Sequence, residues 1–165
     1  MKEKSYLFNT EKLKYILGCK SDAACILCSI RERVEEVSRL ELYRTEFFAV
    51  TVNLYPFNSG HLMIFPLRHC TDLSELSDEE ALDLHRLTAA SIRILRAEFS
   101  PAGFNIGYNM GEGSGASISH LHLHIVPRYR NEVGFIDVLA GDKVMVVDPA
   151  DVMERLKGWF DCLKI

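Results

Sequence analysis

Apolar and polar residues alternate most strictly along Ser119-His120-Leu121-His122-Leu123-His124-Ile125-Val126-Pro127. On an extended chain, side chains two apart share a face. The run therefore predicts a strand with His120, His122 and His124 in one row and Leu121, Leu123 and Ile125 on the other; a helix would scatter the rings around its circumference. Strand patterns also mark Leu42-Tyr43-Arg44 and Phe47-Phe48-Ala49-Val50-Thr51-Val52. The breakers in residues 53–60 predict a turn, and His61-Leu62-Met63-Ile64-Phe65-Pro66 predicts the antiparallel partner beyond it. Leu84, Leu87, Ile94 and Leu95 keep a helical period over residues 78–99. Ser77 and Glu80 form a capping box at its start, and Pro101 and Gly103 stop it. Phe104-Asn105-Ile106-Gly107-Tyr108-Asn109 predicts another strand. Asp148 and Pro149 open a last helix in which Val152, Met153, Leu156, Trp159 and Phe160 pack inward. Residues 9–18 predict a short helix, residues 32–39 a charged connector or helix turn and residues 134–142 a loop. The pattern as a whole predicts an α+β fold: a mainly antiparallel sheet of about five strands with helices on one side.

A chain of 165 residues, 48% hydrophobic and 25% charged, can bury one core without staples. A single domain over residues 1–165 is expected, with an N-terminal arm to residue 40, a core from 41 to 130 and a C-terminal extension from 131. The net charge of -4 argues against a sequence-independent grip on a nucleic-acid backbone. A small anionic ligand at a local cluster remains compatible with it. The five cysteines, Cys19, Cys25, Cys28, Cys70 and Cys162, are odd in number and scattered, which fits reduced thiols rather than a disulfide framework. Met1 to Tyr6 lacks a signal-peptide core, and no run is long enough to span a membrane. A soluble, cytoplasmic protein without membrane or nucleic-acid partners is expected.

Three imidazoles backed by an apolar face suit either a metal or phosphate chemistry. Cys25-Ile26-Leu27-Cys28 offers half of a tetrahedral metal site. It also fits core thiols or a redox pair, although no strand-helix-strand pattern surrounds it. Gly111, Gly113 and Gly115 would let backbone amides approach an anion just before the histidines.

His120-Leu121-His122-Leu123-His124-Ile125-Val126 resembles the histidine triad family of nucleotide hydrolases and transferases, whose mark is three histidines alternating with apolar residues. The likeness extends over roughly residues 25–130 and looks closest to the diadenosine polyphosphate hydrolases and phosphorylases. One departure stands in the loop: Ser114-Gly115-Ala116 replaces the Ala-Gly-Gln of many members. The resemblance implies that His122 attacks the α-phosphorus of a nucleotide, that His124 holds phosphate oxygens, and that His120 supports the phosphate or binds metal. It further implies a nucleotide site of Asn53 at the ribose, Thr51 and Met63 at the base, and Asn109, Gly115 and Ser117 at the phosphates. It implies a structural zinc on Cys25, Cys28, His69 and His120, no organic cofactor, and a homodimer through the long helix and the Gly107 region. Rival readings are a catalytic metal held by all three triad histidines, and a nucleoside phosphoramidate hydrolase or non-catalytic nucleotide-binding protein of the same fold.

Overall fold

A computed structural model describes residues 25–33, 40–130 and 147–165. The expected helix at residues 9–18, most of the 32–39 connector and the loop at 134–142 lie outside them. The described elements are α1 (Ile26–Arg31), β1 (Glu41–Arg44), β2 (Phe48–Val52), β3 (Leu62–Pro66), α2 (Asp78–Phe99), β4 (Gly103–Tyr108), β5 (Leu123–Arg128) and α3 (Pro149–Asp161), with short 3-10 turns at Leu73–Glu75 and Glu112–Ser114. The strands form one sheet in the order β1-β2-β3-β5-β4. Every neighbouring pair is antiparallel. This is the expected α+β architecture.

Alternation along the central strands separates two faces. Phe48, Val50, Val52, Leu62, Ile64, Leu123 and Ile125 bury against Leu84, Leu87, Ile94 and Leu95 of α2 and Val152, Leu156 and Phe160 of α3. The residues between them point the other way: Ala49, Met63 and Phe65 pack with Leu27 and Ile30 of α1. The two long helices thus share one side as expected, and the short α1 covers part of the other, where the histidines lie.

The capping box predicted for α2 is present: the Ser77 hydroxyl accepts from Glu80 N–H at 3.2 Å, and Glu80 Oε2 accepts from Ser77 N–H at 2.8 Å. Arg68 locks onto the same carboxylate through Nε at 2.7 Å and holds it down at about 2. This ties the chain leaving β3 to the start of α2. In α3, the spacing of Val152, Leu156 and Phe160 takes the core. Trp159 departs from the expected inward packing: it is 45% exposed, and its indole N–H donates to Glu98 Oε2 at 3.0 Å. An indole with a partner at the helix flank satisfies its polar atom there, which the core would not provide.

Ser91 is fully buried in α2, and its hydroxyl has no hydrogen-bond partner. An unsatisfied buried hydroxyl costs about 1–3 kcal/mol. Ser91→Ala is therefore expected to raise the urea midpoint of unfolding without changing the slope; a fall in the midpoint would contradict this.

Candidate functional site

The histidine strand begins later than its alternation predicts. β5 starts at Leu123, so His120 and His122 precede the ladder. The cause is a different use of their backbone. Leu121 N–H donates to the Cys70 carbonyl at 2.7 Å, and the His120 carbonyl accepts from the His122 ring at 2.7 Å. The three rings do not form one even row. His120 turns towards the cysteines of α1, whereas His122 and His124 face each other with centroids 4.7 Å apart at 78°.

Hydrogen-bond partners assign the tautomers. The His122 Nδ1–H donates to a carbonyl, which only accepts, so Nε2 keeps a bare lone pair. Burial lowers the His122 imidazole from its ordinary value, which keeps the ring neutral. His120 Nε2–H likewise donates to the Pro66 carbonyl at 2.9 Å, leaving its Nδ1 lone pair towards Cys25 and Cys28. Burial brings His120 down to about 4.

A fourth histidine, which the sequence placed at the head of a strand but gave no role, completes this wiring. His61 is fully buried, and its Nδ1 accepts from the backbone N–H of Phe57 at 3.1 Å. Its proton therefore sits on Nε2, which reaches His124 Nδ1 at 3.0 Å. The neutral His124 ring must then carry its own proton on Nε2. Phe57 stacks on His61 at 5.1 Å and 21°. Gly60, with φ +80, turns the chain into His61 close against Pro127, Leu95 and Phe99: a Cβ there would lie 3.2 Å from Pro127 and 3.4 Å from Leu95 and Phe99. His61 shares the alternation of Met63, so its facing was readable; its partner across the sheet was not.

Burial, then the charges of His124 and His122, depress His61 to about 3 from 6.5. Below pH 6.5 the unfolded chain binds a proton that native His61 refuses until about pH 3. Stability is therefore expected to fall as pH drops through this window, measured by urea unfolding at several pH values. His61→Gln should flatten the slope; an unchanged slope would contradict the assignment.

Other expected residues fall around this centre. Thr51 pairs with Met63, Met63 with His124, and His124 with Gly107, giving one row across four strands on the histidine face. Thr51 and Met63 are buried. Asn53 Oδ1 accepts from Tyr55 N–H at 2.9 Å, and its Nδ2 lies 3.2 Å from His61 Nδ1, so this amide shapes the turn beside the histidines. Asn109, Gly115 and Ser117 lie on the segment joining β4 to His120, with Gly115 and Ser117 exposed. Gly111 at φ +76 and Gly115 at φ +80 adopt the left-handed conformation that favours glycine.

Cys25, Cys28, His69 and His120 offer four ligand atoms within 4.8 Å of one another. Cys25 Sγ is 3.3 Å and Cys28 Sγ 3.6 Å from His120 Nδ1, and Cys28 Sγ is 3.4 Å from His69 Nδ1. Tetrahedral zinc with bonds of about 2.3 Å to sulfur and about 2.0 Å to nitrogen separates such ligands by about 3.5 Å. The donor set fits that ion. His122 and His124 do not belong to the cluster. Burial, then the Cys25 thiol, pushes Cys28 up to about 11, so a cation would have to draw the proton off. No helix among the described residues is long and apolar enough to cross a membrane.

Sheet and site together define an α+β protein built around a histidine triad and a fourth supporting histidine. The HIT domain pattern matches residues 34–131, more than half of the chain, and the protein belongs to this family. The chain is 39% identical over 107 residues to a Mycobacterium tuberculosis protein named AP-4-A phosphorylase, covering 64% of this chain and 55% of that relative. It thus spans about half the length of this relative. It is 32% identical over 97 residues to a bis(5'-nucleosyl)-tetraphosphatase [asymmetrical] of Schizosaccharomyces pombe, covering 59% of this chain and 53% of that one. A zinc-bound histidine triad family protein from Mycobacterium smegmatis shares the fold, with TM-score 0.68 and 22% identity over 86% of this chain and 96% of that chain.

Proposed function

We propose that this protein cleaves dinucleoside polyphosphates at the α-phosphorus through a nucleotidyl-histidine on His122. The observation that carries this reading is the wiring of His122: with Nδ1–H held by the His120 carbonyl, the Nε2 lone pair is the nucleophile. That lone pair attacks the α-phosphorus, and the bond to the bridging oxygen breaks as the remaining nucleoside polyphosphate leaves. His124, with its proton on Nε2, donates to the phosphoryl group as charge develops. Water or inorganic phosphate then attacks the phosphorus; an O–P bond forms as the P–N bond breaks, and His122 returns to its starting state.

Amides of residues 111–115, with Asn109 and Ser117, would hold the phosphates. Thr51 and Met63 would flank the base, on the row that ends at His124. Asn53 would reach the ribose with the second amide hydrogen and second lone pair beyond its turn contacts. Cys25, Cys28, His69 and His120 would bind a closed structural zinc, which when present cross-links α1 to the catalytic chain. A cytoplasmic homodimer is part of the proposal: β4 is an edge strand whose Ile106 is 46% exposed, next to Gly107. The names of the mycobacterial and yeast relatives support the substrate class.

Incubation with diadenosine tetraphosphate tests this reading. ATP should appear with AMP in water alone, and with ADP when inorganic phosphate intercepts the intermediate. ADP as the sole product in the absence of phosphate would mean attack away from the α-phosphorus and contradict it.

A further inference from the structure

We propose that the metal cluster positions the nucleophile through the main chain of His120, a role that rests on His122 being the nucleophile as argued above. His120 is held at three points. Its Nδ1 faces the thiols at 3.3 and 3.6 Å, its Nε2 donates to Pro66 at 2.9 Å, and its carbonyl accepts the His122 Nδ1 proton at 2.7 Å. The segment from His120 to His122 lies outside the β5 ladder, so these contacts and the bond from Leu121 to Cys70 replace strand pairing.

The chain on the other side of the cluster is clamped independently. Arg31 donates to the Leu67 carbonyl at 3.0 Å, and Arg68 binds Glu80 and the Glu75 carbonyl. His69 and Pro66 therefore sit on a fixed rail. The His120 side chain joins that rail from the segment that precedes β5.

Without a cation, only weak sulfur hydrogen bonds hold Nδ1 of this ring. A metal–nitrogen bond fixes the ring direction, and with it the torsions that aim the His120 carbonyl. That carbonyl selects the Nδ1–H tautomer of His122. When it turns aside, part of the His122 population carries the proton on Nε2 and has no lone pair for phosphorus. The expected signature is a fall in kcat with little change in KM, because positioning of the attacking atom acts on the chemical step rather than on substrate binding.

The test uses full-length enzyme, stripped with a chelator and reloaded stepwise with zinc. Nitrogen-15 NMR of the His122 ring, without substrate, should show Nδ1–H alone in loaded protein and a mixture of tautomers in stripped protein. In parallel, kcat on diadenosine tetraphosphate should fall on stripping by the same factor as the Nδ1–H fraction and recover in proportion to bound zinc, with KM within about twofold. His69→Gln removes the exposed ligand and serves where stripping unfolds the chain; it should show the same tautomer mixture with the fold intact by circular dichroism. An unchanged tautomer and kcat in folded, metal-free protein would overturn the proposal, as would failure to bind zinc. A metal-dependent tautomer without turnover of any dinucleotide would support the coupling and refute the substrate reading instead.

Discussion

His122→Ala is expected to abolish turnover, with kcat lower by about 10⁴-fold or more, as for other enzymes that lose a covalent nucleophile. The ring lies outside the metal cluster, and its one described hydrogen bond is to its own chain neighbour. The variant should therefore fold and bind as much zinc as wild type does. Initial rates on diadenosine tetraphosphate, with metal analysis of the same sample, check both halves of the expectation. Activity within about tenfold of wild type would remove His122 from the chemistry.

The second large effect is expected at His61. Truncation to alanine removes the Nε2–H that fixes His124, and leaves Phe57 N–H without its buried acceptor. A triad partner in the wrong tautomer costs about 10⁴-fold in the serine protease example. In the proposed mechanism His124 only assists the nucleophile, so a loss of about 10²-fold in kcat is expected, with a smaller change in KM. His61→Gln can return an N–H near the position of Nε2 and should recover part of the rate. Equal losses in both variants would mean that His61 acts through packing, as its stack with Phe57 would allow.

Local chemistry made some elements readable in the sequence. The limits of α2 follow from Ser77, Glu80 and Pro101, and its apolar stripe is the one that buries. The start of β5 was not readable from alternation. Residues 120–122 keep the alternation, yet their polar groups go to the His122 ring and to the Cys70 carbonyl, far back along the chain. Alternation reports which way a side chain faces, not whether its backbone joins a ladder. The role of His61 escaped notice for a related reason. Its meaning comes from pairing Met63 with His124, a register that no local pattern carries. The candidate metal site lies between these cases. Cys25 and Cys28 announce half of it, whereas His69 and His120 join through a crossing between α1 and the chain beyond β3. Trp159 shows the opposite limit: an apolar residue at helical spacing stays at the surface because Glu98 satisfies its N–H.

The central claim is a phosphorus–nitrogen bond at His122. Rapid mixing with diadenosine tetraphosphate, an alkaline denaturing quench and mass spectrometry of the peptides measure it directly. One nucleoside monophosphate should be attached to His122, lost on acidification and absent from His122→Ala. Turnover without any such adduct, or an adduct on a different residue, would contradict the account.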